Sequence, residues 1–196
     1  MGGILFVCTA NQIRSPFAER LMHRALHARF GPVADAVAVT SAGTHATPGQ
    51  PIWPEAAAEL ARRGVSAAGH TARQLVPTMI RRSTVVLTAA RTHRDDVTSL
   101  WPDALHRTFT LREIAWLLDG CSAADLPGRR LTERVEMLPV LARSRRGILT
   151  PLSPDAFDVA DPVGGTDADY ARAAVEIEQA IAVPLRVLRA ERGVRP

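Results

Sequence analysis

The start of the chain constrains the fold more than any other segment. Gly3 to Val7 form a short, continuous apolar run, which is typical of a strand buried on both faces. After the segment Cys8 to Arg14, the pair Ser15-Pro16 begins a helix, with Ser15 predicted as the N-cap and Pro16 at the first helical position. A buried strand that leads through a short loop into a helix is the repeating unit of parallel α/β folds.

The alternation of strand and helix continues along the chain. Further strands are predicted at 37–40, 84–88 and 106–110, and helices at 15 to about 31, 54–63, 92–100, 111–118, 129–146 and 168–190. This order predicts an α/β fold in three layers, with a four-stranded parallel sheet and helices on both faces. The alternation lapses between residues 120 and 158. We therefore predict a single domain over 1–196 with an elaborated region there.

The composition is that of an ordinary globular protein. With 196 residues, 46% of them hydrophobic and 22% charged, the chain is long enough for one core and too apolar for disorder. Its apolar runs fall far short of the roughly 20 residues that a membrane span needs, and its first residues lack the basic region of a secretory signal. Two cysteines cannot form a disulfide framework. We therefore expect a cytoplasmic protein with no membrane partner.

The charge balance is unusual because all 24 basic residues are arginine. Against 20 acidic residues they give a net charge of +4 and a sequence pI near 10.3, which reflects the shortage of groups that titrate between histidine and arginine. Aromatic residues make up only 5% of the chain, whereas nucleic-acid binders combine basic stripes with stacking aromatics, so no nucleic-acid partner is expected. The densest basic stretch, 129–146, holds six Arg and two Glu. A solvated helix face is its ordinary interpretation, and a basic arm near the pocket that attracts acidic substrates is the alternative.

The loop after the first strand carries the chemistry. It reads Cys8-Thr9-Ala10-Asn11-Gln12-Ile13-Arg14-Ser15. Backbone N–H groups in such a loop, together with the following helix N-terminus, form a nest for a tetrahedral oxyanion, and Arg14 can bind two phosphate oxygens at once. The same positive field favours the thiolate of Cys8, which is placed for in-line attack on a bound phosphoryl group. The sequence therefore predicts a phosphate-binding loop after the first strand.

Each of these residues has a simpler interpretation when it is taken alone. A cysteine that ends an apolar strand is usually part of the core, and an arginine at a helix start is usually solvated. The two residues together, between a buried strand and a Ser-Pro helix start, favour an anion site with a nucleophile.

The loop resembles the active-site loop of the low-molecular-weight protein tyrosine phosphatases, which is Cys, five residues, Arg, and then Ser or Thr. That family carries the loop within about the first 20 residues, as here. Further segments resemble the family in the same order, and the resemblance spans residues 3 to about 110 and 158 to 190. These segments are Ser41-Ala42-Gly43-Thr44, Gly69 to Leu75, and Asp161-Pro162 followed by Gly164-Gly165 and Tyr170.

The resemblance implies a cysteine-dependent phosphomonoester hydrolase, with a role for each matching residue. Cys8 is the nucleophile that forms a phosphocysteine intermediate, Arg14 binds the phosphoryl oxygens, and Asp161 is the general acid and base, which implies an acidic pH optimum. Ser15 donates to the Cys8 sulfur. The phosphate-binding and loop-supporting residues are Thr9, Ala10, Asn11, Gln12, Ile13, Ser15, Ser41 and His70. Without the resemblance, Asp161 is a turn residue before proline, and Asn11, Ser41 and His70 are ordinary loop residues.

Several positions depart from the family pattern. Ala10 stands where the family commonly has glycine, and it is strained if the position needs a positive φ. Ile13 replaces a second loop cysteine, and Gln12 is an unusual polar residue at the position that faces substrate. Val163 stands in the Asp-Pro loop where aromatic residues are usual, and Trp53 is predicted to pack at the start of the next helix. Phosphotyrosine is therefore the substrate by family default, and these residues do not specify it.

The expected partner is a phosphorylated protein or a small phosphomonoester, with no cofactor. No metal site is expected because the six histidines are scattered. Two other functions stay open. One is a thiol-dependent arsenate reductase, for which Cys121 is the resolving thiol that remains outside the loop. The other is a catalytically weak phosphate-binding or regulatory module, against which the presence of both Cys8 and Asp161 argues.

Overall fold

Four parallel strands form the sheet of the computed structural model, which describes residues 3–150 and 152–189. The strands lie in the order β2-β1-β3-β4, and Leu5 of β1 is paired with Thr40 on one side and Val86 on the other. The bounds are β1 Gly3–Cys8, β2 Ala38–Gly43, β3 Val85–Thr88 and β4 Thr108–Thr110. The predicted four-stranded parallel sheet is confirmed.

Seven α-helices accompany the strands in the described residues. They are α1 Arg14–Phe30, α2 Pro54–Arg62, α3 Pro77–Arg82, α4 Arg91–Leu100, α5 Leu111–Leu118, α6 Leu131–Arg145 and α7 Asp167–Leu188. Short 3-10 helices cover Gly31–Ala36, Pro102–Arg107, Ala123–Asp125 and Pro154–Phe157. Across residues 3–150 and 152–189, no helix combines the length and the apolar character that crossing a membrane requires.

The side chains of β1 show why the helices divide into two layers. Ile4 and Phe6 point into a large hydrophobic cluster with α1, α5, α6 and α7, whereas Leu5 and Val7 point into a smaller cluster with α3 and α4. Successive residues of a strand face opposite sides of the sheet, so a run that is apolar at every position needs a cover on both faces. The three-layer prediction is confirmed.

Some element boundaries differ from the predicted ones. Strand β2 runs on to Gly43 and not only to residue 40, because its pairing with β1 continues as far as Cys8, so most of the family-like segment at 41–44 is strand. Strand β4 is shorter than predicted, since residues 102–107 form a 3-10 helix. Helix α3 was not predicted, and its six residues are too few to show helical periodicity. The last helix ends at Leu188, and Ala190 lies outside the described residues.

The prediction that Ser15 is the N-cap of the first helix is wrong. Helix α1 begins at Arg14 with Ile13 at the cap position, and Ser15 lies inside the first turn. Its hydroxyl contacts the Cys8 sulfur and the Asn11 amide instead. Local capping rules cannot anticipate this arrangement because both partners come from the folded loop.

The elaborated region between residues 120 and 158 contributes α6 to the same hydrophobic cluster as α5 and α7, which supports the prediction of one domain. Helix α6 contacts the 3-10 helices that precede β2 and β4, and it therefore packs along the amino edge of the sheet. The phosphate-binding loop follows the carboxyl end of β1, at the opposite edge. This placement argues against a basic arm at the pocket.

Candidate active site

The loop from Cys8 to Arg14 turns its carbonyl groups outward. Four of them accept hydrogen bonds, each at 2.9 Å, from segments that surround the loop. The pairs are Thr44 N to Cys8 O, His45 N to Thr9 O, His70 Nε2 to Asn11 O and Trp53 N to Gln12 O. When the carbonyls of a tight loop point away from its centre, its N–H groups point toward the centre, which is the geometry of an anion nest.

Asn11 holds the sharpest bend of the loop. Its φ of 56° is the one positive value among the non-glycine residues that the structure describes. Asparagine tolerates this left-handed conformation better than most residues. The strain expected at Ala10 is absent, because the positive φ falls one residue later.

The side chain of Asn11 connects the loop to three neighbouring segments. Its Nδ2 donates to Ser15 Oγ at 2.9 Å and to Ser41 Oγ at 2.7 Å, and its Oδ1 accepts from the backbone N of Arg73 at 2.9 Å. Ser41 in turn donates to a carboxylate oxygen of Glu19. Both the nitrogen and the oxygen of the Asn11 side-chain amide are thus hydrogen-bonded. These bonds hold the side chain in place, and the side chain in turn stabilises the bend of the loop.

Gly43, the last residue of β2, lies against the backbone of the loop. Because it has no side chain, it leaves the space that the loop occupies. A Cβ at this position would lie 2.8 Å from Asn11 N and 2.9 Å from Ala10 C, closer than real Cβ contacts. Because these are backbone atoms, relief would require the loop itself to move. The predicted loop residues and the end of the second strand therefore form one structural unit.

The Cys8 sulfur lies at the base of the loop, and the residue is only 3% exposed. Its Sγ is 3.0 Å from Ser15 Oγ. The Ser15 hydroxyl accepts from Asn11, so its single proton is left for the sulfur or for the Ala42 carbonyl at 3.3 Å. The Ser15 hydroxyl can therefore donate to a sulfur anion, which is the role that the family resemblance implies for it.

Arg14 and Asp161 meet above the loop. The guanidinium Nη2 of Arg14 is 2.5 Å from Asp161 Oδ2, and its Nη1 donates to the Val159 carbonyl at 3.1 Å. The Arg14 side chain is 6% exposed, whereas that of Asp161 is 45% exposed. The buried cation is thus held in place, and the carboxylate faces solvent at the entrance. The structure brings together three residues that the sequence places at 8, 14 and 161.

His70 is a buried support of the loop rather than a residue that faces it. A carbonyl oxygen only accepts, so the 2.9 Å contact with Asn11 O means that Nε2 carries the proton. Burial lowers the pKa of His70, and the hydrogen bond to Asn11 opposes that shift only in part. A neutral imidazole that donates from Nε2 is the form that the site stabilises.

His93 was not among the predicted site residues. It contacts the loop from the face of the sheet that α3 and α4 cover. It lies in the first turn of α4, and its Nε2 is 2.9 Å from Thr9 Oγ1. Burial, and then the positive charge of Arg14, lower its pKa to about 4. A single histidine inside a helical segment gives no signal of this contact in the sequence.

Glu19 and Arg73 also belong to the support of the loop and were not predicted. Glu19 accepts from Ser41, and its Oε2 lies 3.5 Å from Arg73 Nη2. The position of Arg73 in the family-like segment at 69–75 was the available signal. Glu19 lies inside α1, where an acidic residue near a helix start gives no local signal of this contact.

Trp53 lies next to the loop and brings a large aromatic residue to the rim of the site. Trp53 is the N-cap residue of α2 and 37% exposed, and its backbone N binds the Gln12 carbonyl beside the loop. The Gln12 amide donates through Nε2 to the Pro51 carbonyl at 3.2 Å. Val163, whose backbone N donates to Asp161 Oδ1 at 3.3 Å, is 55% exposed. The rim therefore combines an indole, an amide and an aliphatic side chain.

Cys121 lies away from this site. Helix α5 begins after β4 at the carboxyl edge of the sheet and runs back for 8 residues, a rise of about 12 Å, before the chain reaches Cys121. The thiol is buried, and this burial raises its pKa. A resolving thiol has to reach the nucleophile as a thiolate, so this position opposes a relay with Cys8.

Among residues 3–150 and 152–189, no group of three His, Cys, Asp or Glu side chains is arranged to hold a metal.

Comparison with known proteins identifies the class to which this site belongs. Residues 3–120 match the model of the low molecular weight phosphotyrosine protein phosphatase family. The low molecular weight protein-tyrosine-phosphatase Etp of Escherichia coli (strain K12) is 35% identical over 114 residues, which are 58% of this chain and 70% of that protein. The protein-arginine-phosphatase of Geobacillus stearothermophilus is 35% identical over 125 residues, 64% of this chain and 79% of its own.

Solved structures show the same fold. The YwlE arginine phosphatase from Geobacillus stearothermophilus has a TM-score of 0.66 at 28% identity and covers 94% of this chain and 91% of its own. The tyrosine phosphatase amsI from Erwinia amylovora has a TM-score of 0.64 at 22% identity, with 92% and 89% covered.

The chain belongs to the low molecular weight phosphotyrosine protein phosphatase family. It is therefore a cysteine-dependent phosphatase, as the sequence predicts. The matched range ends at residue 120, so it includes Cys8 and Arg14 but not Asp161. The role of Asp161 depends on the geometry of this structure.

Proposed function

We propose that the chain hydrolyses phosphorylated proteins in two steps through Cys8, Arg14 and Asp161. The observation that carries the proposal is the convergence of these residues on one loop whose carbonyls are turned outward. That loop offers a nest of N–H groups, a buried guanidinium, a nucleophile at the base and a carboxyl group at the entrance.

In the first step, the Cys8 sulfur attacks phosphorus and forms a sulfur–phosphorus bond. The bond from phosphorus to the leaving oxygen breaks, and the carboxyl group of Asp161 gives its proton to that oxygen. Arg14 and the loop amides bind the equatorial oxygens, on which negative charge is spread in the transition state.

In the second step, Asp161 takes a proton from water while the water oxygen attacks phosphorus. The sulfur–phosphorus bond breaks, inorganic phosphate is released, and the Ser15 hydroxyl donates to the departing sulfur anion from 3.0 Å. Asp161 ends the cycle protonated, so it can act again as the acid.

The ion pair between Arg14 and Asp161 adds a requirement to this cycle. The Nη2 group that binds Asp161 is also the group that faces the entrance, while Nη1 stays on the Val159 carbonyl. Substrate phosphate therefore competes with Asp161 for Nη2. Once displaced, the half-exposed carboxyl group is released toward the leaving group.

Phosphotyrosine is the substrate that we propose first, since the matched family is named for it and Trp53 supplies an exposed indole at the rim. Stacking of an aromatic pair contributes about 0.5–1.5 kcal/mol.

Phosphoarginine is a second candidate, which Gln12 favours. Because the Nε2 of this amide donates to Pro51, the Oε1 remains as an acceptor at the rim. A guanidinium N–H can donate to it, whereas a phenyl ring cannot. The relative from Geobacillus stearothermophilus is named a protein-arginine-phosphatase.

Turnover of three substrates by the wild type and two variants tests the proposal. A phosphotyrosine peptide, a phosphoarginine peptide and a sugar phosphate are each offered to wild type, Cys8→Ser and Asp161→Ala. We expect turnover by the wild type, none by Cys8→Ser, and a phosphorylated enzyme intermediate that acid quenching traps on Cys8. Wild-type turnover no higher than that of Cys8→Ser would show a phosphate-binding module instead.

The variant Gln12→Leu separates the two peptide substrates. Loss of the amide acceptor should lower kcat/KM for the phosphoarginine peptide and leave that for the phosphotyrosine peptide unchanged or higher. Equal changes for both peptides would exclude Gln12 as the group that selects the substrate.

A further inference from the structure

The contact between His93 and Thr9 has no part in the two-step scheme above, although Thr9 directly follows the nucleophile. His93 is 5% exposed, and the partner of its Nε2 is the Thr9 hydroxyl at 2.9 Å. Its second ring nitrogen, Nδ1, is buried and has no hydrogen-bond partner among the described residues. A buried polar atom without a partner is costly, so its presence calls for an explanation beyond packing.

Helix α4 brings this ring to the loop. The helix follows β3, the strand next to β1, and both strands end at the same edge of the sheet. Thr9 contributes an exposed side chain at that edge, while its carbonyl is bound by His45 N on the other side. The bond from His93 therefore fixes the one rotatable part of Thr9 that its backbone contacts leave free.

We propose that His93 is a positioning residue of the catalytic loop, whose uncharged imidazole holds the Thr9 side chain beside the nucleophile without adding a second cation next to Arg14. The inference rests on the proposed function, since it assigns a role within the same site. Either tautomer of the neutral ring can make the bond to a hydroxyl, which both donates and accepts.

The charges around the ring explain why it has to be neutral. Arg14 faces it from α1, Asp158 and Asp161 from the segment before α7, and Asp96 from its own helix. An imidazolium in this position would repel Arg14 and attract Asp161, the group that the mechanism needs at the leaving oxygen. Burial and Arg14 both lower the pKa of His93, to about 4, so the ring is neutral at ordinary pH.

The test compares His93→Leu, His93→Gln, Thr9→Val and the double variant Thr9→Val/His93→Leu. The leucine cannot bind Thr9, whereas the glutamine amide can and never becomes charged. For the phosphorylated substrate that the wild type turns over, we expect kcat for His93→Leu to fall about tenfold, the upper range for one hydrogen bond, with a smaller change in KM. Glutamine should restore most of it, and the double variant should be no slower than the slower single variant.

The pH profile supplies a readout that a purely structural role would not move. In the wild type, kcat/KM should fall on the acid side with a component near pH 4, and this component should be missing in His93→Gln. Active sites are counted with a burst of product, so a partly folded variant does not imitate a slow one.

The outcomes distinguish a failure of the proposed function from a failure of the inference about His93. An inactive wild type overturns the proposed function, and with it the inference. If the wild type is active and His93→Leu is equally active per active site counted by the burst, only the inference is overturned. The same holds if the effects of the two single variants multiply in the double variant. An acid limb that is unchanged in His93→Gln also overturns it.

Discussion

Two buried polar clusters lie at opposite edges of the sheet, and the residues of the candidate active site belong to one of them. At the carboxyl edge, the loop cluster joins Cys8, Asn11, Ser15, Ser41 and Glu19 around a strained backbone. At the amino edge, Arg134 of α6 is buried and donates to the carbonyls of Ala123, Leu126, Gly128, Val187, Leu188 and Arg189, and we call this the Arg134 cap.

The two clusters differ in what their polar groups serve. The Arg134 cap donates hydrogen bonds to carbonyls at the end of α7, where helix carbonyls have no partner within the helix. These hydrogen bonds are all made within the protein. The loop cluster holds a bend whose amide groups and sulfur face an entrance. A groove of about 780 Å³ lies beside the Arg134 cap, lined by Arg129, Arg130 and Leu188 among others, but none of Cys8, Arg14 and Asp161 lines it. Burial and cavity size alone would therefore select the wrong edge.

The largest expected effect is on the chemistry of the loop cluster. With a peptide substrate that has a poor leaving group, Asp161→Asn should lower kcat by about 10²–10⁴, the usual contribution of a general acid. Because the neutral amide competes less for Arg14, inhibition by inorganic phosphate should become stronger. Unfolding in urea should barely change. Weaker inhibition by phosphate would contradict the competition between Asp161 and substrate.

The next effect belongs to the Arg134 cap and should appear only in stability. Arg134→Met keeps much of the side-chain volume but leaves several buried carbonyls without their donor, which should cost about 3 kcal/mol or more in the free energy of unfolding. Urea unfolding measures this loss. The kcat of the folded enzyme should equal that of the wild type, and a matching fall in kcat would mean that the two edges are coupled.

A smaller change at Gly43 tests the support beneath the loop. In Gly43→Ala, the added methyl group meets Ala10 and Asn11, so we expect a fall in kcat of at least tenfold from misplaced loop groups. Gly120→Ala is the matched control, since Gly120 has a φ of 74° and open space around its Cβ position. The control should lose about 1 kcal/mol of stability and no activity. Equal activity of both variants would show that the loop tolerates displacement.

The last effect is the pH dependence of stability, which develops only below the ordinary pKa of histidine. His93 has a lower pKa in the fold, about 4 against an ordinary 6.5, so the unfolded chain binds more protons between these values. Its contribution is complete above pH 6.5 and is lost as the pH falls toward 4, on the order of 3 kcal/mol in all. His70, whose pKa is also lowered, acts in the same direction. The free energy of unfolding, measured in urea and plotted against pH over this range, should have a shallower slope for His93→Gln than for the wild type. An identical slope would show that His93 does not cause the pH dependence.

Much of the loop was predictable because its signals are local. The order of apolar strand, Cys8, Arg14 and helix start lies within one short segment, and phosphate binding needs only that local geometry. The capping role of Ser15 was predicted wrongly because the hydroxyl has better partners in Asn11 and Cys8, which come into reach only in the folded loop. Likewise, the strain expected at Ala10 lies at Asn11, since the position of a bend depends on what surrounds it.

The sequence by itself determined the alternation of strands and helices, and with it the edge of the sheet where Cys8 and Arg14 lie. Periodicity and composition are read within a few residues, so they are available without the fold. The tertiary structure decided which distant residues meet there. Asp161 reaches Arg14, Gly43 admits the loop, and His93 binds Thr9 because parallel strands end at a common edge. Contacts of this kind depend on the packing of whole elements, which no local pattern records.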